Sequence, residues 1–254
     1  MVVVLWEPQD DINIGNAVRA CKNFGVHHLR LVRPAQADPD EIAVSAPKAD
    51  DVIANIETYQ SLEDAVADCV YVIGTTARSR AARRVVTEPR GAAASAVDLT
   101  DDGNVAYLFG REDSGLPNDA LDSCQSIVTI PTDPDYSSLN LGQAVLLNIW
   151  EVFRVATDQD VERPDVEWVA AESGWEPATM EEMERIFEMA EEALLAIDFF
   201  RTPATWRIMR TLRSMFLRAS LDEREAAIWM GIFSEILDTA EDLKRATDDG
   251  EDDD

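Results

Sequence analysis

Polar side chains suited to holding a ligand cluster between residues 107 and 151. An apolar run, Val105–Phe109, leads into Gly110-Arg111-Glu112-Asp113-Ser114-Gly115. A second run, Ser126–Ile130, ends at Pro131. Tyr136-Ser137-Ser138-Leu139-Asn140-Leu141-Gly142 follows and opens a helix at once. The carboxylate of Glu112, the hydroxyl of Ser138 and the amide of Asn140 are groups that orient polar ligands through hydrogen bonds. Gly110 taken alone reads as a turn glycine. In open α/β sheets ligands sit at the carboxyl ends of strands, and both loops leave their strands there. The segment reads as a site rather than as connections.

A sheet must carry these loops. Val2–Trp6, His28–Val32 and Val70–Thr75 read as further buried strands. Asn13–Phe24 reads as a helix with Ala17, Val18, Cys21 and Phe24 on one face and Gly25 at its end. Glu41–Ser45 and Ala49–Ala54 read as short helical pieces, and Leu62–Ala67, Gly91–Ala96, Asn118–Ser123 and Gly142–Ala156 as helices. Strands alternating with helices imply an α/β fold with a mostly parallel sheet over residues 1–158. Residues 159–178 are acidic, carry Pro164 and Pro177, and read as a linker. Thr179 is a helix N-cap opening an all-α extension, 179–246, with helices near 180–197, 204–219 and 222–245. Residues 247–254 read as a disordered acidic tail.

The 254 residues carry 50 acidic and 22 basic side chains, a net charge of −28, and the only lysines are Lys22, Lys48 and Lys244. Acid spread along the whole length with lysine depleted points to adaptation to high salt, as in a halophilic, archaeon-like source. Cys21, Cys69 and Cys124 form no Cys-x-x-Cys pair, which argues against a disulfide framework or zinc site and for a reducing cytoplasm. His27 and His28 are adjacent and point different ways, so no metal is expected. No apolar run reaches membrane-spanning length, and Met1–Trp6 lacks the features of a targeting signal.

The arginines are informative where acids are missing. No acidic residue lies between Asp68 and Glu88, where Arg78, Arg80, Arg83 and Arg84 fall. None lies between Asp198 and Asp222, where Arg201, Arg207, Arg210, Arg213 and Arg218 fall. At ~100° per residue, residues 207, 210, 213 and 218 share one side of a helix. Trp206, Met209, Leu212, Met215 and Phe216 are then available as core. Two positive islands in so negative a chain suit phosphate binding.

In order, Asn13-Ile14-Gly15-Asn16-Ala17-Val18-Arg19-Ala20, Gly74-Thr75-Thr76-Ala77-Arg78, Phe109-Gly110-Arg111-Glu112-Asp113-Ser114-Gly115-Leu116, Ile130-Pro131 and Tyr136-Ser137-Ser138-Leu139-Asn140-Leu141 resemble the motifs of the SPOUT superfamily of RNA ribose methyltransferases. The likeness is strongest to the TrmJ group of the TrmH family. It covers residues 1 to about 155, and the Arg-rich helical tail is similar to that group's C-terminal extension. The resemblance implies a parallel sheet with a C-terminal trefoil knot, a homodimer with each site near the subunit interface, and S-adenosylmethionine as cofactor. It implies methylation of the 2′-hydroxyl of nucleotide 32 in the tRNA anticodon loop. By position it assigns Thr75, Thr76, Ala77, Gly110, Ile130, Ser137, Ser138 and Leu139 to the cofactor, and Arg19, Asn13, Glu112, Ser138 and Asn140 to catalysis. The matching arginine is the family's assigned base. Arginine normally stays protonated, so Arg19 as a phosphate clamp or alkoxide stabiliser, and Glu112 as base, stand beside that role. Arg78, Arg80, Arg83 and Arg84 are assigned to anticodon-stem phosphates, and Arg207, Arg210 and Arg213 to tRNA further away. A ribosomal RNA target and a catalytically silent RNA binder of the same fold are the alternatives.

Overall fold

Alternation of β-branched runs with amphipathic stretches gives the elements in chain order: β1 (Val2–Trp6), α1 (Asp11–Asn23), β2 (Leu29–Val32), α2 (Pro39–Ser45), α3 (Asp50–Ala54), β3 (Ile56–Tyr59), α4 (Leu62–Val66), β4 (Cys69–Thr75), β5 (Val85–Thr87), α5 (Pro89–Leu99), β6 (Asn104–Phe109), α6 (Asn118–Asp122), β7 (Ser126–Val128) and α7 (Leu141–Thr157). This computed structural model describes residues 1–77, 85–157, 175–200 and 204–251. The chain divides into two compact units, Met1–Trp168 and Val169–Asp254.

The first unit is built on a seven-stranded sheet in the order β3-β2-β1-β6-β4-β7-β5, with every strand pair parallel. Its interior strands are buried on both faces, which is why they read as unbroken apolar runs. Val3, Leu5, Leu31, Ile73, Tyr107 and Phe109 join Ile14, Val18, Ala93, Val145 and Ile149 in one core between the sheet and the helices α1, α5 and α7. All parallel strands share one carboxyl edge, so Glu7, Arg33, Thr76, Gly110 and Thr129 leave the sheet on the same side.

Two strands escape a reading of apolar runs, and both are sheet edges. β3 is Ile-Glu-Thr-Tyr with no buried residue, and β5 has three residues. An edge strand needs little apolar content because only one side is paired. β7 stops at Val128, two residues before the end expected from the sequence.

In the second unit α8 (Met180–Ala196) begins with a capping box. Thr179 takes the Glu182 N–H, and Glu182 takes the Thr179 N–H at 2.8 Å. α9 (Thr205–Ala219) and α10 (Glu223–Glu251) follow. Phe216 joins the three helices, its ring 6.1 Å from Phe187 and 4.9 Å from Trp229. Trp206 and Met215 are not core as the sequence suggested, being more than half exposed, whereas Met209, Phe216 and Leu217 are buried. α10 also runs on to Glu251, through most of the segment expected to be a tail. Residues 158–174, which hold most of the 159–178 segment read as a linker, and residues 252–254 lie outside the described residues; at the end of that segment Pro177 forms a β-bridge with Asp222 and Ala178 is buried.

One ion pair fastens the edge of the sheet away from the cavity described below. Arg30 in β2 is 8% exposed and donates to Asp68 at 2.9 Å, to Glu57 at 3.2 Å and to the Ala65 carbonyl at 2.8 Å. That guanidinium holds the Asp68 carboxyl down at about 2. The folded value lies below the unfolded one of about 3.9, so the pair stabilises the fold above pH 4 and loses its effect as pH falls toward 2. Asp68 is half exposed, which discounts the pair. Asp68→Asn is therefore expected to cost about 1–2 kcal/mol at pH 7, and the difference from the parent in denaturant melts should shrink as pH falls below 4, with most of it gone once pH passes below about 2.

Candidate active site

Asp10 starts the site by capping α1. Its side chain accepts the Asn13 N–H at 3.0 Å, which fixes Asn13 in the first turn. Asn13 Nδ2 donates to Glu112 Oε1 at 3.1 Å and to Asp10 Oδ2 at 3.3 Å. The Glu112 carboxylate also takes the main-chain N–H of Gln9, at 3.2 and 3.1 Å to its two oxygens. With its nitrogen committed, Asn13 presents Oδ1 to Asn140 Nδ2 at 2.8 Å. Asn140 Oδ1 then caps α7, accepting the N–H of Gly142 at 2.9 Å and of Gln143 at 3.4 Å. An ionised carboxylate only accepts and a helix N–H only donates, so both amides between them have one possible orientation.

Glycines bring the parts together. A Cβ on Gly142 would lie 2.5 Å from Asn16 Cβ, so α7 begins in direct contact with α1 only because that position is bare. A Cβ on Gly110 would lie 2.2 Å from main-chain atoms of Gly115 and Leu116. The bare Gly110 position thus makes room for its own loop, and Gly110 also lines the cavity at the end of β6. The loop closes with the Gly115 N–H donating to the Arg111 carbonyl at 2.9 Å, and Gly115 takes a φ of 69°. Arg111 pairs with Asp113 at 3.0 and 2.9 Å, which holds the Asp113 carboxyl near 2.

A cavity of about 280 Å³ opens where these loops meet, at the carboxyl ends of β4, β6 and β7. Thr75, Thr76, Ala77, Gly110, Ile130, Ser137, Ser138 and Leu139 all line it, together with Glu112. Apolar walls from Leu116, Val128, Ile130 and Leu139 face hydroxyls of Thr75, Thr76, Ser137 and Ser138 and the carboxylates of Glu112 and Asp113. That mixture fits S-adenosylmethionine, which combines a flat purine, polar sugar and amino-acid groups and a sulfonium cation. The Ser138 hydroxyl has no hydrogen-bond partner among the described residues.

Asn13 and Asn140 do not line the cavity; they reach it through Glu112. Arg19 lies on the exposed side of α1, outside the lining, with no ion pair among the described residues. Arg78, Arg80, Arg83 and Arg84 fall outside the described residues. Arg207 and Arg210 are exposed on α9. Arg213 is turned instead to its own unit, with both terminal nitrogens 2.6 Å from Glu184 and the guanidinium 4.5 Å over Phe187. Sequence reasoning missed Asp10, Gln9 and Arg111. An Asp placed just before a helical run was the signal for the first. Among the described residues no group of His, Cys, Asp and Glu could hold a metal ion.

Residues 1–150 match the SpoU rRNA methylase family, and residues 181–246 match the C-terminal domain of the tRNA methyltransferase TrmJ. The chain is 35% identical over 244 residues to the tRNA (cytidine/uridine-2′-O-)-methyltransferase TrmJ of Klebsiella pneumoniae subsp. pneumoniae, covering 92% of this chain and 95% of that protein. It is 37% identical over 249 residues to the protein of that name from Sodalis glossinidius, with 98% and 95% covered. Among solved structures it is similar to TrmJ from Z. mobilis ZM4, with a TM-score of 0.78, 33% identity, and 92% and 98% of the chains covered. A probable methylase family protein from Haemophilus influenzae gives a TM-score of 0.59 at 31% identity, with 95% and 97% covered. The two curated relatives come from bacteria and lend no support to an archaeon-like source.

Gly110→Ala is expected to push the 111–115 loop off its seat and to cost about 1–3 kcal/mol through overpacking. Thermal melts should show the drop, whereas Gly115→Asn, which tolerates positive φ, should melt close to the parent.

Proposed function

The chain belongs to the SpoU rRNA methylase family and is an S-adenosylmethionine-dependent RNA 2′-O-methyltransferase, and from that premise we propose that it methylates the ribose of nucleotide 32 in the tRNA anticodon loop. The base at that position is cytidine, with uridine also accepted, in keeping with the cytidine/uridine naming of the relatives. The observation that carries the reading is the meeting of the eight cofactor-assigned residues in one cavity beside the Glu112–Asn13–Asn140 relay. The match of residues 181–246 to the TrmJ C-terminal domain favours tRNA. Ribosomal RNA is the second reading, since the family matched over residues 1–150 is described by that substrate.

When bound, the cofactor supplies an electrophilic methyl group, and the incoming 2′-oxygen needs alignment and loss of its proton. Ser138, with its hydroxyl unengaged and facing the cavity, holds the ribose or cofactor. Asn13 and Asn140 fix the loop carrying Ser138 against the loop carrying Glu112. Glu112 is committed to three hydrogen bonds from Gln9 and Asn13, which favours an orienting role over that of base. Arg19 serves as phosphate clamp and stabiliser of the developing alkoxide, in keeping with an always-charged guanidinium.

Arg78, Arg80, Arg83 and Arg84 contact anticodon-stem phosphates. Arg207 and Arg210 reach further along the tRNA, while Arg213 holds α9 on α8. A homodimer is supported by Leu146, Leu147, Trp150 and Phe153, which repeat at helical spacing on α7 and stand 37–42% exposed. A C-terminal trefoil knot is supported by β7, which follows β5 in the chain yet lies between β4 and β5. Three free cysteines support a reducing cytoplasm. No helix among the described residues is long and apolar enough to cross a membrane. The salt-adapted composition is the basis for assaying in concentrated KCl.

The test uses the full chain, S-adenosylmethionine and unmodified tRNA transcripts, with nuclease digestion and mass spectrometry to locate the methyl group. A 2′-O-methyl on nucleotide 32, on C32 and U32 transcripts, is the expected result. Methylation of ribosomal RNA but not tRNA would overturn the choice of substrate.

A further inference from the structure

Two residues with left-handed backbone end adjacent strands on the cavity side of the sheet: Glu7 after β1, with φ 48°, and Arg33 after β2, with φ 45°. Residues other than glycine adopt this region when their surroundings impose it, and such positions cluster at functional sites. Here the Glu7 N–H donates to the Val32 carbonyl at 2.8 Å, and the Arg33 N–H donates to the Tyr59 carbonyl at 3.0 Å. The Arg33 guanidinium lies 4.6 Å over the Trp6 ring, with Nη2 2.7 Å from Glu7 Oε1. The other Glu7 oxygen takes Arg111 Nη1 at 3.3 Å, and Arg111 lines the cavity.

The two arginines differ in what they have left to give. Arg111 directs Nε and Nη2 to Asp113 and Nη1 to Glu7. Arg33 is held by ring, carboxylate and backbone, yet its side chain is 46% exposed and a single contact, to Glu7, engages its donors among the described residues. A guanidinium already fixed in place with most of its fork open loses little freedom on taking a phosphate, and its geometry suits two phosphate oxygens at once. In a chain of net charge −28, such an open guanidinium offers a polyanion a fixed positive contact.

We propose that Arg33 anchors a backbone phosphate of the RNA substrate at the carboxyl end of β2, beside the cavity. Glu7 is its positioning residue and ties the anchor, through Arg111, to the loop that carries Glu112. The assignment rests on RNA being the substrate.

The test is binding of unmodified tRNA to the full chain across a KCl series, with S-adenosylmethionine binding and thermal melting followed in parallel. Arg33→Asn removes the charge while accepting left-handed backbone, and Arg33→Lys keeps the charge. Arg33→Asn should weaken tRNA binding about 3- to 10-fold at the lowest salt and reduce the slope of log affinity against log salt by about 0.7–0.9, the release from one phosphate. Cofactor binding and melting should stay at parental values, and Arg33→Lys should keep the parental slope. An unchanged slope in a folded Arg33→Asn protein overturns the anchor alone. Parallel loss of cofactor binding makes Arg33 structural and also overturns it. Failure of the unaltered chain to bind tRNA is visible without any variant, and it removes the RNA reading and the anchor together.

Discussion

The hydrogen bond from Asn13 Nδ2 to Glu112 sets the sense of a relay that joins three distant parts of the chain. Amide side chains are symmetric in shape but not in charge, so an Asn–Asn contact alone leaves two arrangements open. Glu112 at one end and the α7 N–H groups at the other remove that freedom. The first turn of α1, the loop after β6 and the start of α7 are thereby locked in a single geometry. Ser138, two residues before Asn140, takes its position from that lock.

The sheet makes the relay possible. Parallel strands deliver the ends of β1, β4, β6 and β7 to one edge, and the polar loops gather there. Bare positions at Gly110 and Gly142 let a loop fold on itself and let two helices touch. Charge follows the same logic. Glu7 bridges Arg33 and Arg111, and Asp113 completes Arg111, so cations at this edge are held by specific acids despite the large acidic surplus. Salt screens diffuse repulsion more than such close contacts.

Much of this was legible in the residues because interior parallel strands and amphipathic helices announce themselves by period. β1, β4 and β6 and helices α1, α7 and α8 fall within a residue or two of their expected limits. β3 and β5 did not show, because an edge strand carries little apolar signal. The membership of the cavity was legible only through the order of the motifs. Spacing alone cannot tell that Asn13 meets Asn140 across 127 residues. Nor could it show that Arg213 is taken by Glu184, or that Gly110 makes room for Gly115. Those depend on side-chain partners that only the folded chain brings together.

The relay is tested most directly by a double-mutant cycle on kcat/KM for tRNA methylation with Asn13→Ala and Glu112→Gln. Glu112→Gln keeps the shape but removes the charge and replaces one of the two acceptor oxygens with a donor, so the carboxylate no longer fixes the sense of the relay. If the two residues act as one unit, each single change lowers kcat/KM at least about 10-fold and the double variant is little worse than the poorer single, a coupling above about 1 kcal/mol. Losses that multiply in the double variant would contradict the relay and leave Asn13 and Glu112 as independent contributors.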